Sequence, residues 1–160
     1  MRWIWIDKFT EFTPRASATA VKNVSLAEEH LHDLYPAFPI VPHSLILEGM
    51  AQTAGILVGE ARNFQEKVIL AKVGRATFHR LVRPGDTIHY KARIDQLNEH
   101  GASISGTVTC GANVVAEIEL MFSHIDQNMS GVQFPEHNFV FTEQFTELLK
   151  TYRTDSSVTL

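Results

Sequence analysis

The sequence predicts an α+β domain in which one antiparallel sheet of five or more strands wraps a single long central helix. Three observations carry this. From Ser44 the residues Leu45, Ile46, Leu47, Met50, Ala51, Ala54, Ile56, Leu57 and Val58 are apolar around most of a helical circumference, and no proline follows Pro42 until Pro84. Downstream, Ile88, Tyr90, Ala92 and Ile94 alternate with His89, Lys91, Arg93 and Asp95, the period of a strand with one buried face. Turn residues then recur at Arg83–Asp86, Asn98–Gly101 and Gly111–Asn113, at spacings suited to hairpins. A helix that is apolar nearly all round must be covered on nearly all sides, and a curved sheet does that.

The elements follow in order. Ala16 to Val24 alternates small or apolar residues with polar ones and predicts the opening strand. Leu26 to Leu34 is rich in Glu and His, and the prolines at 36, 39 and 42 exclude both helix and central strand, so Tyr35 to Pro42 reads as an irregular loop. Gly49, Ala51, Ala54 and Gly55 leave the helix slim enough for a close sheet. Strands are predicted at Val68–Val73, Ala76–Val82, Thr87–Leu97, Ala102–Cys110 and Val114–Ser123, the last three as a meander. Gln127 to Gly131 reads as a linker, and Phe145, Leu148, Leu149 and Tyr152 share one face of an amphipathic helix over Thr142–Tyr152. The expected division is a domain over residues 1–125 and an extension over 126–160.

With 160 residues, 44% of them hydrophobic and 20% charged, the chain can bury a core of its own. It has no run near the roughly 20 apolar residues of a membrane span and no long apolar stretch at its start, so a cytoplasmic protein with no membrane partner is expected. The single cysteine, Cys110, has no partner for an internal disulfide and reads as a small core residue. A net charge of −4, without a P-loop or a glycine-rich dinucleotide motif, argues against nucleic acid and nucleotide cofactors. His30, His32 and His43 have no carboxylate or cysteine at ligand spacing, so no metal is expected.

Tyr35-Pro36-Ala37-Phe38-Pro39-Ile40-Val41-Pro42-His43-Ser44-Leu45-Ile46-Leu47-Glu48-Gly49-Met50-Ala51-Gln52 resembles the signature of the 3-hydroxyacyl-[acyl-carrier-protein] dehydratases of fatty-acid synthesis. That family carries His-Phe-Pro-Gly-x-Pro-x-x-Pro-Gly, then four residues, then Glu-(Ala/Gly)-Met-Ala-Gln. Phe78, Arg80 and Pro84-Gly85-Asp86 match a second family segment. The resemblance spans about residues 4 to 124 and implies a hotdog fold. It also implies a homodimer or trimer of dimers with acyl tunnels at the dimer interface, an acyl carrier protein as partner, and no cofactor. Two positions depart from the pattern: the family's catalytic histidine falls on Leu34, fourteen residues before Glu48, and its helix-starting glycine falls on His43.

Dehydration of a 3-hydroxyacyl thioester needs a base for the C2 proton, an acid for the leaving hydroxyl and a donor for the thioester oxygen. The resemblance places Glu48 at the family's carboxyl position, and burial on an apolar helix would favour its protonated, donating form. A backbone amide of residue 43 or 44 can serve the oxygen, because the first N–H groups of a helix are free. Leucine cannot accept a proton, so the base must come from elsewhere. His43 is the preferred substitute; it can also simply cap the helix or face the surface. His32 can replace the missing imidazole if the loop is shifted, or Glu48 can act alone through water.

Leu34, Ser44, Gln52 and Phe78 are the expected substrate contacts. Gln52 is placed to bond Glu48 one turn away or to bond across the dimer, and Phe78 is core by default. Lys72, Arg75, Arg80 and Arg83 form a basic group on an acidic chain, either a docking patch for an acidic carrier protein or a solvated strand edge. The leading function is dehydration. The alternatives are thioester hydrolysis by an ionised Glu48, and a non-catalytic acyl-binding partner subunit.

Overall fold

The computed structural model describes residues 3–125, 128–129, 132–133 and 143–157. The order of elements is β1 (Lys8–Thr13), β2 (Ser17–Asn23), α1 (His30–Asp33), α2 (His43–Glu60), β3 (Lys67–Phe78), β4 (Thr87–Leu97), β5 (Gly101–Cys110), β6 (Asn113–Ile125), β7 (Asn128–Met129), β8 (Val132–Gln133) and α3 (Glu143–Ser157). Six strands form one sheet in the order β1-β2-β4-β5-β6-β3, every neighbouring pair antiparallel, and β7 pairs with β8 in a separate two-stranded sheet. The sheet curls around α2, as the apolar circumference of that helix requires. No helix among the described residues is long and apolar enough to cross a membrane.

The core is the seam between α2 and the sheet. Ile46, Met50, Ala54, Leu57 and Val58 are buried on the helix, against Ile88, Tyr90, Ile104, Val108, Ile118 and Leu120 of the strands. Tyr90 is 1% exposed, and a Cβ at Gly49 would stand 2.5 Å from two atoms of its phenol. Only glycine admits the ring at this point, so the slimness of the helix is a packing requirement. Leu45, Leu47 and Ala51 are only half buried.

The meander matches its prediction almost residue for residue. Its turns are closed locally: the Arg83 amide donates to Asp86 Oδ2 at 2.9 Å and Gly85 takes φ 94°, while Asn98 Oδ1 accepts the amides of His100 and Gly101. Val41 N–H donates to Val82 O at 2.9 Å and fastens the proline-rich loop to the end of the β3–β4 connection.

Three expectations are corrected, and one stretch with no expected element forms a helix. Val68–Val73 and Ala76–Val82 are not two strands: β3 runs unbroken through Gly74, with register shifts at Leu70/Lys72 and Val73/Arg75, and stops at Phe78. It lies at the sheet edge and is exposed along most of its length, so no alternation marks it as one unit. The opening strand is preceded by β1, where only Phe9 is buried. His30–Asp33 is a short helix that buries Leu31. Cys110 is half buried rather than interior, and burial beside Asp86 pushes its thiol pKa up.

The predicted linker at Gln127–Gly131 lies mostly outside the described residues. The amphipathic helix is present as α3. Leu149 is 2% exposed, Phe145, Leu148 and Tyr152 pack on the core, and Arg153 bonds Glu60 at 2.6 Å.

Gly49→Ala should destabilise the protein by up to about 2 kcal/mol, because the overpacking of roughly 1–3 kcal/mol outweighs the helix-propensity gain of roughly 1 kcal/mol. Chemical denaturation checks this; a neutral or stabilising result would mean that the phenol can withdraw.

Candidate active site

A pocket of about 310 Å³ opens against α2. The helix contributes Glu48, Ala51, Gln52, Gly55 and Ile56 to it. These are positions i, i+3, i+4, i+7 and i+8, a single helical stripe. Opposite stand Val68, Ile69 and Leu70 of β3 and Phe122 of β6, closed in by Trp3 and by Phe145 of α3. Apart from Glu48, Gln52 and the Trp3 indole the lining is hydrocarbon or glycine, a chamber for an apolar chain with one carboxyl in its wall.

Glu48 is held by two donors on one oxygen. Gln52 Nε2 donates to Glu48 Oε1 at 2.9 Å and Trp3 Nε1 donates to the same atom at 3.1 Å. Glu48 Oε2 has no hydrogen-bond partner among the described residues. Gln52 is itself spanned by the backbone of the segment before β1: its Oε1 accepts the Trp5 amide at 2.8 Å, and its Nε2 also donates to Trp3 O at 3.0 Å. One amide side chain thus behaves as a fragment of strand, and it fixes both Trp3 and the carboxyl. Of the two alternatives for Gln52, the bond to Glu48 is the one observed within the chain.

The other expected residues lie elsewhere. His43 is exposed at the first position of α2 and stacks flat on Phe78, ring centroids 4.1 Å apart. Five residues before Glu48, it points about 140° away around the helix, so the two do not meet within one chain. Leu34 is 52% exposed. With Ser44 it lines a second hollow of about 410 Å³ beside α1. Ser44 is one turn before Glu48 on the same face, so the two hollows are neighbours along α2. His32 is exposed.

The basic residues are exposed on β3 and the connection after it. Arg75 pairs with Glu119 at 2.7 Å, Arg80 is 3.9 Å from Asp86, and Arg83 lies over the Phe38 ring at 4.2 Å.

Two residues enter that the sequence did not single out. Trp3 binds Glu48 from 45 positions away. His30, weighed only as a metal ligand, lines the second hollow and packs edge-on against Trp5, which packs edge-on against Trp3. Its Nε2 is buried with no hydrogen-bond partner among the described residues, and burial holds its pKa below the ordinary imidazole value, against the opposing pull of Glu28. Among the described residues no three His, Cys, Asp or Glu side chains converge as a metal site.

A FabA-like domain family matches residues 4–119. The 3-hydroxyacyl-[acyl-carrier-protein] dehydratase FabZ of Rickettsia rickettsii (strain Sheila Smith) is 37% identical over 119 residues, 72% of this chain and 81% of that protein. The chain belongs to this dehydratase family. Solved structures show the same fold at low identity. The dehydratase heterocomplex ApeI:P from Xenorhabdus doucetiae superposes with a TM-score of 0.64 at 14% identity, covering 78% of this chain and 85% of that one. A hypothetical thioesterase with coenzyme A from Streptococcus pneumoniae superposes at 0.61 and 8% identity, covering 76% and 88%. The hotdog architecture implied by the family signature is therefore present. The family match ends at residue 119 and does not reach α3.

Two measurements check this geometry. In a ¹⁵N spectrum, Glu48→Gln should move the Trp3 indole N–H resonance and leave that of Trp5 nearly in place; an unmoved Trp3 signal would deny the contact. His30 gives an acid-side signature. Its folded pKa is lowered, so the unfolded chain binds the proton more readily. The stability His30 contributes is intact above the unfolded value of 6.5 and falls as the pH drops below it. His30→Phe should flatten that part of the stability–pH curve.

Proposed function

We propose that this chain removes water from 3-hydroxyacyl thioesters carried on an acyl carrier protein, giving trans-2-enoyl thioesters. The observation that carries the reading is Glu48: a carboxyl with one oxygen tethered and the other free, set in the wall of an apolar pocket at the family's acid position. Tethering Oε1 leaves Oε2 to face the substrate. A protonated Glu48 delivers its proton to the C3 hydroxyl, which departs as water while the C2–H electrons form the new double bond. The first amides of α2, at His43 and Ser44, supply hydrogen bonds for charge on the thioester oxygen.

The base follows from the helix angle. His43 and Glu48 lie on different sides of α2, so they serve one substrate only if they come from two copies of the chain. The free edge of β3, twelve residues long with Leu70 and Val73 more than a third exposed, offers a pairing line for a second copy. In this reading a homodimer is the catalytic unit, with His43 of one copy taking the C2 proton opposite Glu48 of the other. Lys72, Arg80 and Arg83, near that edge, would guide an acidic carrier protein to the site. Leu34, exposed where the family has its imidazole, favours one second reading: a partner subunit that binds acyl chains and lends Glu48 to another chain's base.

Purified protein is to be assayed with 3-hydroxyacyl carrier-protein thioesters for enoyl product and for free thiol. Enoyl formation should fall by about 10²–10⁴-fold in Glu48→Gln and by a similar factor in His43→Phe, with restoration when the two variants are mixed. Mixing works because a heterodimer rebuilds one intact pair. Thiol release instead of enoyl product would make the chain a hydrolase. Inactivity that is relieved by a histidine-bearing homologue would make it the partner subunit.

A further inference from the structure

We infer that Phe145, on the helix α3 beyond the family-matched span, is a specificity-determining residue that limits the acyl chain this pocket accepts. The inference rests on the reading of the Glu48 pocket as the acyl site, and it concerns a part of the chain that the dehydratase signature does not reach.

From Glu48 to Gly55 the pocket runs along seven residues of α2, about 10 Å at 1.5 Å per residue. At the Gly55 end of the stripe a Cβ would touch the Phe122 ring at 3.6 Å, so helix and sheet stand close there. Beside the stripe the pocket is closed in by Trp3 and by Phe145 of α3. Phe145 is half buried, lines the pocket and packs on the core. The helix that carries it is anchored rather than laid loosely on the surface: Leu149 is 2% exposed, and Arg153 bonds Glu60, the last residue of α2, at 2.6 Å. One helix end tied to α2 and a buried leucine one turn from Phe145 hold the phenyl ring at a fixed distance from the stripe.

The resulting volume of about 310 Å³ stands at the lower limit of ligand pockets, roughly 300–1,000 Å³. A short, unbranched acyl chain fits such a space. A longer one has to pass the position of Phe145, which a phenyl fills and an alanine would open.

The test uses the full chain with Phe145→Ala, Phe145→Leu and Phe145→Trp, and a homologous series of straight-chain 3-hydroxyacyl thioesters. The wild type should prefer the short members. The Ala variant should raise the ratio of kcat/KM for long over short chains by about tenfold, the Leu variant by less, and the Trp variant should lower it, following the worth of a methylene or two in a hydrophobic pocket. A merely structural residue would depress every chain length alike. Binding is read separately with acyl-pantetheine amides of the same lengths, which cannot react, by quenching of the exposed Trp3 indole, with Trp3→Phe as the blank.

If turnover is absent but the Ala variant gains affinity for long amides, the wall is supported and the dehydratase reading fails. If turnover is present and the chain-length profile is the same in all four proteins, the inference is overturned and the dehydratase reading stands. Should Phe145→Ala fail to fold, the Leu and Trp pair decides by the direction of its two shifts.

Discussion

The contact between Gly49 and Tyr90 sets the distance between the central helix and its sheet, and most of the molecule depends on that distance. The phenol is buried, with its ring where a Cβ at position 49 would have to be. At that separation Ile46, Met50 and Leu57 are fully buried in one cluster with the inner residues of β4, β5 and β6. Met50 similarly lies over Gly106, where a Cβ would meet its sulfur at 2.6 Å. Close packing on one side of α2 leaves the opposite stripe, from Glu48 to Ile56, against the less completely covered region where β3, Trp3 and α3 meet. The pocket is what remains when a helix is drawn tightly to one side of a curved sheet.

A carboxyl in such a stripe needs hydrogen-bond donors, and Gln52 supplies one. Its amide accepts from one backbone and donates to another as a strand would, while the same nitrogen reaches Glu48 one turn back. The segment before β1 is thereby docked on α2 through side-chain bonds alone. Trp3 is delivered to the carboxyl by that docking. Loss of Gln52 would therefore release the tryptophan segment as well as the Glu48 carboxyl.

How much of this could be read from the residues divides along physical lines. The meander β4–β6 was legible because each strand has one dry face and each turn carries glycine, proline or asparagine. β3 was misread as two strands because an edge strand exposed along nearly its whole length has no alternation to show, and Gly74 and Arg75 look like a break. β1 was missed because a single buried residue, Phe9, gives no period. Glu48 was legible as a charge on an apolar helix. Its neighbours Trp3 and Phe145 were not, since nothing local links an indole at position 3 or a phenyl at 145 to a helix near the middle of the chain. His30 hid among other polar residues, and only the fold shows that its ring is covered by Trp5 while His32, two positions on, faces solvent.

In the proposed dehydration, Leu34 stands where the family signature has its imidazole, while Glu48, the helix-start amides and the apolar pocket are present. A carboxyl kept in position by a glutamine and a tryptophan has two bonds to hold it, and neither depends on residue 34. The retained parts need a proton acceptor on the far side of the substrate, and α2 alone cannot bring one there, because a helix sends residues five apart in different directions. An acceptor from a second chain resolves this without any change in the first. In the proposed dehydration, the exposed β3 edge, the exposed His43 and the exposed Leu34 lie on surface that a second subunit would cover, so that reading makes assembly, rather than any single side chain, the condition for catalysis.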